Sequence, residues 1–486
     1  MGYGKQAPVL FNTLSYAWFF IVVFVASWAL MRLRSLRLVF LLAASYFFYA
    51  QWSWYFLPLI FLSSTIDYWL GARIAKCEDA RKRKLWLIGT VVVNLGFLAI
   101  FKYWNFGIDT VQAAAGALGW SVAPIYLRVG LPIGISFFTF ESMSYVIDVY
   151  RGTTKPCDSY LKYLLFVAFF PHLVAGPIVR PRDLIPQFER DPVFDETEAG
   201  RAMFLIAMGL MKKIVISDYL SVNFVDRVFQ QPSSYSALEV LAAIYGYSVQ
   251  IYCDFSGYTD IAIGSAALLG VKFPVNFNSP YKAVNLQDFW NRWHISLSTW
   301  LRDYLFLPLG GSMGSTAKTV RNFMITMLLG GLWHGASWTF VFWGFLHGLG
   351  LCATFLWWRW QESRGLTRKR RKKMPTWRRV LGVVLTFHFV SLTWVFFRSE
   401  TFTSAWAMLS RLTSFTTYHP NLHGWVVAAL AVGLLAHYTP TKLYDSLRTG
   451  YADLPFWAQG AVLFAVATLL REAATSAVVP FVYFQF

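Results

Sequence analysis

The chain has 486 residues, 56% of them hydrophobic and only 14% charged, and its mean hydropathy is +0.45. Values this far from those of ordinary soluble enzymes place it among integral membrane proteins. Its 43 basic residues outnumber 25 acidic ones, giving a net charge of +18. That surplus sits in loops between apolar runs, so it argues for topology signals and anionic lipid headgroups and against nucleic acid.

In chain order, the start MGYGKQAPVLFNTLSYAWFF lacks the short apolar core and small-residue cleavage site of a removable signal peptide, so the first span is expected to stay. Gly2 is not a lipidation site, because Gln6 stands where a serine or threonine would be required. Tyr16 to Met31, Leu85 to Phe101, Val380 to Phe397 and Ala461 to Leu470 with its flanks approach the ~20 residues that a helix needs to cross hydrocarbon. By that criterion about eleven segments qualify. Lipid forbids unpaired backbone groups, and no alternating barrel pattern is present, so the expectation is an all-α, polytopic membrane protein.

Arg73 to Lys84 holds six basic and two acidic residues, and Arg364 to Arg379 holds nine basic and none acidic. The positive-inside rule puts both loops, and the cluster Arg32, Arg34 and Arg37, in the cytoplasm. A secondary role of this charge would be to draw in an anionic cytosolic substrate. The longest polar stretches, Arg180 to Glu198, Gln361 to Trp377 and Arg411 to His423, are too short for a second soluble domain, which leaves residues 1–486 as one membrane domain. Four scattered cysteines, Cys77, Cys157, Cys253 and Cys352, lack CxxC spacing and are expected as free thiols, with no metal site.

Irregular punctuation concentrates between about residues 130 and 345. The segment LPIGISFFTFESMSYVIDVY, Leu131 to Tyr150, has Pro and Gly at its entry and Glu141 and Asp148 inside, which predicts a broken or re-entrant span. Phe170 to Arg182 stacks prolines and a glycine at membrane depth, where irregular backbone survives only when buried in protein or lining a wet cavity. The flanks, 1–129 and 346–486, read as scaffold.

Two of the eight histidines stand in unusual company. His294 lies in NLQDFWNRWHISLSTWLRDYLFLPLGGS, where a helix from Leu286 to Leu305 would be amphipathic, with Asp288, Arg292, Arg302 and Asp303 as helix-orienting ion pairs. Such a helix is either an interfacial anchor or the lining of an internal funnel. His334 lies in GGLWHGASWTFVFWG, with no acidic or basic neighbour between Arg321 and Arg359. A buried imidazole can stay uncharged near neutral pH and act as a general base, or it can simply hydrogen-bond across a helix interface. The surrounding glycines permit either substrate approach or tight helix packing. His347 is 13 residues further on, too far for the i, i+4 spacing of a helical metal site. GxSxG, GxxxxGK[ST] and HExxH are all absent, so nucleophilic serine, phosphate-loop and zinc-protease chemistry are not signalled.

Five stretches together carry a resemblance: FFPHLVAGPIVRPRDL, CDFSGYTDIAIG, FPVNFNSPYKAVNLQDFWNRWHISLSTWLRDYLFLPLGG, GGLWHGASWTFVFWGFLHG and the ending FVYFQF. Over most of its length the chain resembles the membrane-bound O-acyltransferase family, in the bacterial branch that modifies alginate and teichoic acid. The resemblance implies a ring of helices around a central funnel, with His334 as the catalytic residue and His294 on its cytosolic side. It also implies an acetyl thioester donor, acetyl-CoA, no bound cofactor, a hydroxyl acceptor reached from outside, and a periplasmic acetyltransferase partner that O-acetylates an exopolysaccharide. The setting would be the bacterial inner membrane. Asn291, Arg292, Ser296, Trp333 and Trp338 are the candidates for binding substrate or stabilising an oxyanion. His172 departs from the pattern, standing where members of this branch often carry Gln. Two readings from other classes remain at this point, a polysaccharide or lipid transporter with a proton-relay histidine and a non-catalytic export scaffold.

Overall fold

The computed structural model describes residues 10–174, 176–365, 375–474 and 479–481. Every regular element among them is a helix. The chain divides into two compact units, one of Met1–Met203 with Ala262–Pro274, the other of Phe204–Ile261 with Val275–Phe486.

In the first unit, polar side chains start and hold the apolar helices. Thr13 accepts the Tyr16 N–H at the head of Leu14–Ala29, and Asp79 accepts those of Arg81 and Lys82 at the head of Ala80–Leu98. Buried Arg37 is satisfied by the Ser27 hydroxyl at 2.9 Å and the Leu269 carbonyl at 2.7 Å. The expected break in Leu131 to Tyr150 does not occur. Ile135–Arg151 is one continuous helix, bounded by Gly134 and Gly152 at φ 74° and 73°. Pro132 and Gly134 lie before its start, and Glu141 inside it serves a neighbour. The described residues of the irregular stretch from Phe170 to Pro181 are buried, and two of their backbone donors are taken by side chains: Ser45 accepts the Phe170 N–H at 3.1 Å and Glu141 the Val179 N–H at 3.1 Å. His172 Nδ1 lies 3.0 Å from Glu141 Oε1, both side chains buried.

In the second unit, Thr316–His334 and Trp338–Ser363 form a tight hairpin, and Thr376–Arg398 packs on the latter. Gly424–His437 bends by 96° into Thr441–Ala452. A run of π-type turns interrupts the helices at Met211–Asp218, Ser221–Val225 and Arg302–Phe306.

Among the described residues, three helical spans are long and apolar enough to cross a membrane by themselves: Ala80–Ala117, Trp338–Ser363 and Thr376–Arg398, with the bent pair as a fourth. This is fewer than the about eleven apolar segments counted by length. Apolar runs and spanning helices are different objects. Tyr16 to Met31 yields only the 16-residue helix Leu14–Ala29, while the 20-residue helix Leu57–Lys76 carries Asp67, Arg73 and Lys76.

Candidate active site

His334 is the last residue of Thr316–His334, and it is placed there by backbone contact between the hairpin's two helices. A Cβ on Gly331 would stand 2.3 Å from the Phe340 carbonyl oxygen, and one on Gly344 2.2 Å from that of Met327. Of the two uses that the sequence left open for these glycines, the structure shows helix packing. Gly344→Ala is therefore expected to cost about 1–3 kcal/mol or more, because the obstructing atom is backbone and cannot rotate away. Chemical denaturation of the detergent-solubilised protein reads this, and an unchanged stability would mean the helices sit further apart.

The His334 side chain is 4% exposed and walled by aromatic rings. Its ring meets Trp333 at 4.9 Å, Trp343 at 5.1 Å and Phe397 at 5.2 Å, all nearly edge-on. The three rings of that wall, Trp333, Trp343 and Phe397, carry no charge.

His294 reaches the same indole from a different element. The expected single helix from Leu286 to Leu305 is broken here: Leu286–Trp290 ends, His294 adopts φ 42° and ψ 56°, and Ile295–Leu301 begins. A left-handed conformation costs a residue with a Cβ roughly 1–2 kcal/mol, so neighbouring structure must hold it. Asn276 does this. Its carbonyl oxygen accepts the Ile295 N–H at 2.9 Å, and its side-chain Oδ1 accepts both the backbone N–H and the hydroxyl of Ser296, at 3.1 and 2.9 Å. Two residues on, the Asn278 N–H donates to the Arg292 carbonyl and Arg292 Nη1 donates to the Asn278 carbonyl. His294 is consequently buried, with Phe255 at 4.6 Å and Trp333 at 6.0 Å. Both imidazoles thus lie beside Trp333.

The remaining site candidates separate. Ser296 is buried but engaged with Asn276, and Arg292 is held by Asp288 at 2.7 Å as the ion pair expected from sequence. Arg302 and Asp303 likewise pair, at 2.8 Å. Asn291 is exposed at the end of its short helix, and Trp338, at the head of Trp338–Ser363, is 52% exposed whereas Trp333 and Trp343 are buried. His347 Nε2 lies 3.0 Å from the Thr393 hydroxyl, and His437 Nε2 accepts the Tyr281 N–H at 3.0 Å, so both have structural partners. All four cysteines are free thiols, and no group of His, Cys, Asp or Glu among the described residues is arranged to hold a metal.

Two features of the site have no local signature. Asn276 is one, since its role depends on residues 19 and 20 positions later. The other is a buried ionic cluster in which Lys213 Nζ lies 2.7 Å from Asp218 and 2.6 Å from Asp254. Asp254 directly precedes Phe255, the ring packed on His294. Asn276→Ala would leave the Ser296 donors without their acceptor, at a cost of about 1–3 kcal/mol. A fall in activity larger than the fall in folded fraction is expected, as the His294 turn loosens; equal activity per folded molecule would refute the link.

Residues 157–397, which include both histidines, match the family model of the membrane-bound O-acyltransferases. Among curated proteins the chain is 42% identical over 439 residues to a probable alginate O-acetylase of Pseudomonas aeruginosa, covering 88% of this chain and 80% of that one. It is 35% identical over 431 residues to a peptidoglycan O-acetyltransferase of Helicobacter pylori, covering 82% and 79%. A teichoic acid D-alanyltransferase of Bacillus subtilis is 28% identical over 379 residues, 71% and 90% of the two chains. With apolar membrane-length helices, two histidines buried beside one indole, and likeness of this extent, the chain is an enzyme that belongs to the membrane-bound O-acyltransferase family.

Proposed function

We propose that this O-acyltransferase carries an acetyl group from a cytosolic thioester, acetyl-CoA, across a bacterial inner membrane to a hydroxyl acceptor, for O-acetylation of an exopolysaccharide such as alginate. The observation that carries the reading is the placing of His334 and His294 beside Trp333 in an uncharged, aromatic-walled pocket. Support for acetyl as the acyl group comes from the relatives named as O-acetylating enzymes, which are more similar to this chain than the D-alanyltransferase is. A periplasmic acetyltransferase is the proposed partner that passes the group to the polymer.

In this mechanism the neutral His334 imidazole takes the acceptor's hydroxyl proton as that oxygen attacks the thioester carbonyl. The tetrahedral intermediate collapses with cleavage of the carbon–sulfur bond, and the imidazolium returns the proton to the departing thiolate. The products are an acetyl ester and free thiol. His294 orients the donor, and the buried Trp333 indole N–H is the oxyanion donor whose ring adjoins both imidazoles.

The experiment is release of free thiol from acetyl-CoA by the purified protein with an acceptor glycan or the partner's catalytic domain, paired with mass spectrometry of the cell-surface polymer with and without this protein. Turnover that depends on His334, together with loss of acetyl groups from the polymer, is expected. No thiol release, or release unchanged in His334→Ala, would refute the reading.

A further inference from the structure

A polar cavity of about 260 Å³ opens in the second unit, lined by Tyr219, Asn223, Arg227, Tyr235, Asn421 and His423 among others. Its face of the membrane follows from charge and length. The stretch Arg364 to Arg379, whose nine basic residues lie mostly outside the described residues, marks the cytosolic side by the positive-inside rule. Thr376–Arg398 leaves that loop and runs for 23 residues, roughly 35 Å at helical rise, which exceeds the ~30 Å hydrocarbon core. Arg398 therefore emerges on the external side. There it pairs with Asp226 at 3.0 Å, and Arg227 is the next residue.

The lining chemistry is specific. Arg227 Nε is committed to the Val222 carbonyl, but its two terminal nitrogens have no ion pair or hydrogen bond to any described residue. The Tyr219 and Tyr235 hydroxyls and the His423 ring nitrogens likewise have no hydrogen-bond partner among the described residues. The amides of the two asparagines are turned by their donors: Asn223 Nδ2 bonds the Tyr219 carbonyl at 2.9 Å, and Asn421 Nδ2 bonds Glu239 at 2.9 Å, which leaves each carbonyl oxygen as the available acceptor. No carboxylate lines the cavity. One unpaired cation is thus ringed by hydroxyl and amide groups, in a volume slightly below the ~300–1,000 Å³ of drug-sized ligand sites.

We propose that this cavity binds one carboxylate-bearing sugar ring, a hexuronate unit of an acidic glycan, on the external side of the membrane. The guanidinium takes the carboxylate in a charge-assisted, bidentate manner, and the phenols, amide oxygens and imidazole take the ring hydroxyls. An acidic peptide would use the guanidinium but would have no use for the hydroxyl-bonding ring around it. The site gives an external acidic glycan a foothold on the enzyme, and this use rests on the acceptor side proposed above.

The test uses the full-length protein in detergent, with glucuronate, glucose and a tetra-aspartate peptide as probes, followed by saturation-transfer NMR and titration. Glucuronate is expected to bind at least about tenfold more tightly than glucose, as a charged hydrogen-bonded contact implies. Arg227→Gln should erase that preference, and Tyr235→Phe should weaken both sugars while thermal unfolding stays that of the wild type. Equal binding of the two sugars by the wild type, or binding of the peptide alone, overturns the proposal whatever the variants do. Thiol release from acetyl-CoA, read in parallel, separates the two ideas. Loss of sugar discrimination with His334-dependent turnover intact refutes this cavity alone, whereas discrimination without turnover refutes the acyl-transfer reading alone.

Discussion

Replacing His334 by alanine is expected to lower acyl transfer by about 10²–10⁴-fold, the contribution a positioned general base makes. The imidazole ends a helix whose packing is set by Gly331 and Gly344, so the hairpin does not depend on it for assembly. Alanine would nonetheless leave a void against Trp343 and Phe397. His334→Gln separates the two effects, because glutamine keeps polarity and most of the volume but cannot accept a proton. Both variants should insert, purify and unfold cooperatively, and both should fail to release thiol from acetyl-CoA. His294→Ala should be less complete, since the role proposed for that imidazole is to orient the donor. A His334→Gln enzyme that turned over at the wild-type rate would move the base elsewhere in the pocket.

The placing of His334 was largely legible in the sequence, because an imidazole inside a long uncharged stretch has few places to be. His294 was harder. Local pattern favoured one amphipathic helix through it, and the chain instead turns there, because Asn276 supplies three acceptor contacts to Ile295 and Ser296 that outweigh the local preference. The broken character of Phe170 to Arg182 could be read from its prolines, yet the intact Ile135–Arg151 helix could not, since Glu141 is explained by the Val179 N–H and the His172 ring that it meets from another segment. In sequence Trp333, Trp338 and Trp343 read alike, as three tryptophans of one apolar stretch. Burial separates them, because Trp338 begins a helix at the exposed end of the hairpin while the other two face inward. The general cause is the same in each case: a run of residues states its hydrophobicity, whereas the contacts that break or cap it come from a distance.

Lys213→Met is the variant expected to harm the fold most. Lys213 reads in sequence as one of two ordinary lysines between apolar residues, but its ammonium lies fully buried between Asp218 and Asp254, at 2.7 and 2.6 Å, with the Tyr258 ring 5.4 Å away. Methionine preserves much of the volume and removes the ammonium that lies between the two carboxylates. Breaking a buried ion pair from one side costs about 3–5 kcal/mol, and here one ammonium is shared by two carboxylates, so the upper part of that range is expected. Chemical denaturation in detergent micelles is the measurement. The rescue is the more telling arm: Lys213→Met combined with Asp218→Asn and Asp254→Asn leaves no net charge to compensate and should recover most of the lost stability. A single variant within about 0.5 kcal/mol of wild type, the range of ordinary surface changes, would mean the cluster is hydrated and structurally idle. Because Asp254 adjoins Phe255 and that ring packs on His294, the rescued triple variant also asks a functional question. If its stability returns but thiol release does not, the cluster positions His294 as well as holding the fold; if both return together, its role is to hold the fold alone.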